Sequence, residues 1–109
     1  MSEARPLAEA LPELHSELLR LLHVAAEHSL ADDLHGVEFH DWCDCGDDFC
    51  QGFRTVPDRE IFYGPGHRMV CLLGEDDHAM INLDVVHGSV VYIEILYRPQ
   101  LKAQLRAPA

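Results

Sequence analysis

Leu7, Leu11, Leu14, Leu18, Leu21 and Ala25 recur at spacings of three and four, and Leu22 widens the stripe. This is the period of a helix that turns one apolar face to a core. Pro12 suits a first-turn position, where its missing N–H costs nothing, so the main helix is predicted from about Pro12 to Glu27 or His28. Glu9, Glu13 and Glu17 follow at spacing four and are expected to form a solvated acidic stripe on another face. Residues 29–36 read as a connection that ends at Gly36.

The period then changes to two. Val37 and Phe39 alternate with Glu38 and His40 as a short half-buried strand, and Phe53 to Val56 reads as another, stopped by Pro57-Asp58. Residues 58–67 contain Tyr63-Gly64-Pro65-Gly66 and must turn. Arg68 to Leu73 is a strand with Met69, Cys71 and Leu73 on one face and Val70 and Leu72 on the other. Cys71, in this apolar run, is expected in the core. Ala79, Ile81, Leu83 and Val85 alternate with Met80, Asn82, Asp84 and Val86, and His87-Gly88 supplies the flexible position of a tight hairpin. Ser89 to Tyr97 is apolar on both faces, which predicts a central strand. Pro99 opens a short last helix with Leu101 and Leu105 inward and Arg98, Lys102 and Arg106 outward.

Strands in a run, flanked by helices, imply an α+β fold. The expected architecture is an amphipathic N-terminal helix on an antiparallel sheet of about four or five strands, with a C-terminal three-strand meander and a short C-terminal helix. The 109 residues form one domain, and 48 % apolar content provides a core.

Charge narrows the partners. Eight basic against 19 acidic residues give a net charge of −11, and residues 31–60 hold nine acids and two bases, a net −7. Nucleic-acid phosphates and anionic membranes call for a basic footprint, so neither is expected as a partner. A basic protein is the expected partner of such a surface. There is no run of 18 apolar residues and no basic-then-apolar leader, so a cytoplasmic location with reduced thiols is expected. Eight histidines would bring the charge to −3 if all were protonated.

The candidate chemistry lies in His40-Asp41-Trp42-Cys43-Asp44-Cys45-Gly46-Asp47-Asp48-Phe49-Cys50. Three thiols in eight residues suit a tetrahedral zinc ion, with Cys43, Cys45 and Cys50 as ligands and His40 as the fourth, or else His67 or Cys71. The pattern lacks a second Cys-x-x-Cys pair, so plain reduced cysteines and a redox pair of Cys43 with Cys45 or Cys50 stand beside zinc as readings. Asp41, Asp44, Asp47 and Asp48 oppose a reactive thiolate and are expected to form the interaction surface for a basic partner. Their spacing does not match a calcium loop. Tyr63-Gly64-Pro65-Gly66-His67-Arg68 offers a second site, in which backbone N–H groups, His67 and Arg68 would take an anion, with a small enzyme as the furthest reading. No catalytic signature is present.

The order Cys43-Asp44-Cys45-Gly46, Cys50, Phe53-Arg54-Thr55 and Tyr63-Gly64-Pro65-Gly66-His67-Arg68 resembles a group of small uncharacterised bacterial proteins. Leu83 to Leu96 is similar to the terminal hairpin of short bacterial domains of unknown function. The resemblance covers about residues 40–97. It implies a bacterial cytoplasmic protein in which the cysteine loop acts as one unit, and it supplies no substrate.

Overall fold

The computed structural model describes residues 5–43, 50–56, 64–73, 80–98 and 100–105. Within them the fold is α+β. Strand β1 (Arg5–Pro6) runs into helix α1 (Leu7–Ala10), followed by α2 (Pro12–Val24) and α3 (His28–Leu34). Then come β2 (Glu38–Phe39), β3 (Asp41–Trp42), β4 (Phe53–Arg54), β5 (His67–Leu73), β6 (Met80–Val86), β7 (Ser89–Leu96) and α4 (Leu101–Gln104). Five strands form one antiparallel sheet in the order β3-β4-β7-β6-β5, and β1 and β2 form a separate pair. The C-terminal meander is β5-β6-β7, and β7 is central, as its two apolar faces predict.

The apolar helix stripe is interrupted at Leu11, whose φ of −136° and ψ of 72° leave the helical region. The cause is Pro12, whose ring disfavours a helical conformation in the residue before it and then starts α2 at its first turn. Leu7, Leu11, Leu14, Leu18 and Leu22 are buried across the break. Each such leucine contributes about 1.5–3 kcal/mol relative to exposure. The stripe turns through Leu22 at its end, since Leu21 is half-buried and Ala25 exposed.

Helix α2 stops at Val24, earlier than expected. Ala26 takes a left-handed φ of 59°, its N–H donates to the His23 carbonyl, and the Glu27 N–H donates to the Leu22 carbonyl. This pair of bonds is the Schellman closure, which glycine adopts most easily. Ala26→Gly is therefore expected to stabilise the fold by about 0.5–1 kcal/mol, read as a higher denaturation midpoint. An unchanged or lower midpoint would count against this strain.

Residues 29–36 are not a plain connection. They hold most of α3, which buries Leu30, Ala31 and Leu34. The short strand at residues 37–40 also differs from expectation, because Glu38–Phe39 pairs with Arg5–Pro6 rather than joining the main sheet. The acidic stripe is only partly solvated. Glu9 and Glu13 are exposed, whereas Glu17 is buried and bonded to Arg98. Arg98 is correspondingly buried rather than outward, Lys102 is exposed with its ammonium 5.7 Å from the Trp42 ring centre, and Arg106 lies outside the described residues.

The helices cover one face of the sheet. The register row Phe53–Ile93–Leu83–Val70 is buried against them, as are Ile95, Ile81 and Leu72. The hairpin between β6 and β7 turns at His87 and Gly88, with φ of 50° and 82°, the primed turn that matches strand twist. Among the described residues no helix is long and apolar enough to cross a membrane.

The layer of α2 and α3 also buries a histidine. His15 packs edge-on to His35, with 5.8 Å between ring centres, and among the described residues its Nε2 has no hydrogen-bond partner. Burial pushes its pKa below the ordinary value, opposed by a backbone hydrogen bond at Leu34 and aided by His35. Protonation then favours the unfolded chain. The stability of neutral His15 is complete above the ordinary value of about 6.5 and falls as pH drops towards the lowered folded pKa. His15→Leu is expected to flatten this loss, seen as a smaller difference in unfolding free energy between about pH 7 and pH 5. An equal pH slope in both proteins would count against it.

Candidate functional site

The second face of the sheet carries the candidate residues, because strand parity turns them away from the helices. One register row runs Asp41–Arg54–Tyr92–Asp84–Met69, and the next places Glu94, Asn82 and Cys71 side by side. A third runs Leu96–Met80–Leu73, with Cys50 bridged to Leu96. The polar part is internally bonded. Arg54 donates Nε and Nη2 to the Asp41 carboxylate at 2.7 and 2.8 Å. His67 Nε2 lies 3.0 Å from Asp84 Oδ1, and Asn82 Nδ2 donates to Glu94 Oε1 at 2.9 Å. Met69, Cys71, Leu73 and Met80 are exposed beside this network.

Cys43 and Cys50 come to this same face. The Cys43 N–H donates to the Gly52 carbonyl at 2.7 Å, and Cys50 is buried two residues before Gly52. Gly52 is required there, since a Cβ would collide with the Tyr92 hydroxyl. Burial raises the Tyr92 phenol far above its ordinary value, and its hydrogen bond with Cys43 and the nearby Cys50 and Glu94 add to the effect. The phenol thus stays protonated and donates towards the Cys43 sulfur. Cys45, Asp44, Asp47 and Asp48 lie outside the described residues, as does Tyr63.

The three expected fourth ligands do not join these thiols. His40 adjoins the other end of the hairpin, beside Thr55, Ser89 and Val90, while Cys50 pairs with Leu96. Val90 and Leu96 are six steps apart along β7, roughly 20 Å of strand. His67 and Cys71 lie on β5, separated from the position of β4 by β7 and β6. Three strand spacings are about 14 Å. Cys71 is exposed on the open face rather than in the core, because the helices take Val70 and Leu72 instead. Among the described residues no group of three or more His, Cys, Asp or Glu side chains is placed to hold a metal ion.

The expected anion site also comes apart. Arg68 and His67 are neighbours in a strand and point to opposite faces. Arg68 is clamped on Glu27 by two hydrogen bonds of 2.9 Å, which hold the Glu27 carboxyl below its usual range. His67 is engaged with Asp84. Alternation alone predicts this opposition once residues 67–73 are read as one strand.

No family model, curated protein or solved structure matches this chain.

Proposed function

We propose that the chain is a protein-interaction module that docks a basic protein on the open face of its sheet. The observation that supports this reading is that, among the described residues, the helices cover only one face of the sheet. Exposed Met69, Leu73 and Met80 stand beside Asp84 and Glu94, on the face that also carries Asp41 at its far edge, in a chain of net charge −11. Apolar contacts rimmed by carboxylates provide both contact area and steering of a basic partner. Pull-down from native lysate at low salt is expected to recover a discrete basic protein. Its purified form should bind again, and high salt should release it. Recovery of no salt-sensitive basic protein would overturn the reading.

A second reading is a structural zinc site on the β3–β4 hairpin. It is favoured by Cys43 and Cys50 sharing one sheet face beside Gly52, with Cys45 following Cys43 in the sequence. A carboxylate is then the natural fourth ligand, since zinc accepts Asp oxygen and the histidines considered lie elsewhere. Protein purified without chelator is expected to carry one equivalent of zinc. Less than about half an equivalent, with all four thiols titratable, would overturn it.

A further inference from the structure

Strand β5 forms one edge of the main sheet. β5 ends the sheet order, and among the described residues no strand lies beyond it. Its hydrogen-bond parity can be read from the hairpin. The His87 N–H donates to the Gly66 carbonyl at 3.0 Å, and the same register continues through Arg68–Val85, Val70–Leu83 and Leu72–Ile81. In an antiparallel ladder these residues exchange backbone bonds with β6, and the residues between them face the other way. The His67 N–H fits this parity, since it bonds to Gly64 and not to β6. Met69, Cys71 and Leu73 therefore direct their N–H and C=O groups outward, and the same three side chains are exposed on the open face.

Sheet edges are ordinarily protected by lysine, proline, a bulge or an inward charge. Residues 69–73 read Met-Val-Cys-Leu-Leu and contain none of these. The neighbouring cation, Arg68, is held by Glu27 on the helical face. The register shift in the sheet lies between Asp84 and Val85 on the β7 side of β6, which leaves the β5–β6 pairing regular.

Charge selects the strand that would be added. A second copy of the chain brings another −11 to the edge. The sequence that follows β5, Gly74-Glu75-Asp76-Asp77, is acidic as well. We propose that β5 takes an extended segment of a partner, alternating basic and apolar residues, as a sixth strand of the sheet. This rests on the basic-partner reading above and gives it a binding mode, in which backbone bonds supply affinity and side chains select.

A short synthetic peptide alternating Lys and Val tests it, beside the same peptide N-methylated at every second amide. N-methylation keeps the charge and removes the donors that would face β5. The unmodified peptide is expected to bind the full chain about tenfold more tightly or better. Binding should slow amide exchange at Met69, Cys71 and Leu73 above all. Cys71→Pro should abolish binding while leaving the fold intact, because the N–H it removes faces away from β6. Equal binding of both peptides would overturn the strand mode and leave the basic-partner reading standing. Protection mapped away from β5 would do the same. Slow exchange at the three amides in the unliganded chain would also overturn it, since the edge would then be covered. A dimer that Cys71→Pro dissociates would replace the basic segment with a second copy. Failure of every basic peptide and protein to bind would remove the partner reading itself.

Discussion

Arg98→Met is expected to destabilise the fold by about 3–5 kcal/mol, the cost of leaving one member of a buried ion pair without the other. The Arg98 guanidinium donates to both oxygens of Glu17 at 2.5 and 3.0 Å, and each side chain is only 10 % exposed. The Arg98 N–H also donates to Gln51 Oε1 at 2.8 Å, so Arg98, two residues beyond β7, ties α2 to the segment entering β4. Glu17→Leu should cost a similar amount by leaving the guanidinium without its carboxylate. The double variant Glu17→Leu/Arg98→Met should recover most of the loss, because an apolar pair of similar size is often as stable as a buried ion pair. Denaturant unfolding of the four proteins measures this coupling. Losses that simply add in the double variant would show that the two side chains act independently.

Phe53→Ala is expected to cost about 3–5 kcal/mol, combining lost burial with the cavity left behind. Phe53 is fully buried, and its ring lies 5.1 Å from Phe39 and 5.8 Å from Trp42 between centres. Phe39 and Trp42 are themselves 5.0 Å apart. These three rings join the small β1–β2 pair to the start of the main sheet, so the loss should be structural as well as energetic. Trp42 is the single tryptophan, and its emission should shift to the red in Phe53→Ala. Cys43 and Cys50, carried by the same hairpin, should become more reactive to thiol reagents. Phe53→Leu, which keeps most of the volume, should lose about 1.5 kcal/mol or less. Unchanged emission and thiol reactivity in Phe53→Ala would show that the hairpin does not depend on this ring.

The long strands are legible in the sequence because β5, β6 and β7 each carry an alternating or β-branched run bounded by turn residues. Helix α3 is not, since its seven residues contain Asp32 and Asp33 and Glu27 makes no side-chain cap to announce it. The buried Glu17 is hidden for a different reason. Its spacing matches the exposed Glu9 and Glu13, and its partner lies 81 residues away. For β5 the alternation itself is clear, but both faces are apolar. Only the position of the helices decides that Val70 and Leu72 go inward and Cys71 outward. In the candidate site, the thiol types and the nearby carboxylates are visible in the chain. That Cys43 and Cys50 share a face beside Tyr92 follows from hairpin parity, and the distance of His40, His67 and Cys71 follows from strand order.

The central position of β7 sets an order of events during synthesis. β5, β6 and β7 meet through near neighbours in sequence, whereas β4 takes its register from β7, with Phe53 opposite Ile93. Contacts between near neighbours form with less loss of chain freedom than those that span forty residues. A ribosome that has released the cysteine hairpin must still extend the chain to Leu96 before Cys50 has its bridging partner. Until then the nascent chain presents Cys50 without the strand that later helps to bury it, and any metal or oxidant met in that interval reaches its thiol first.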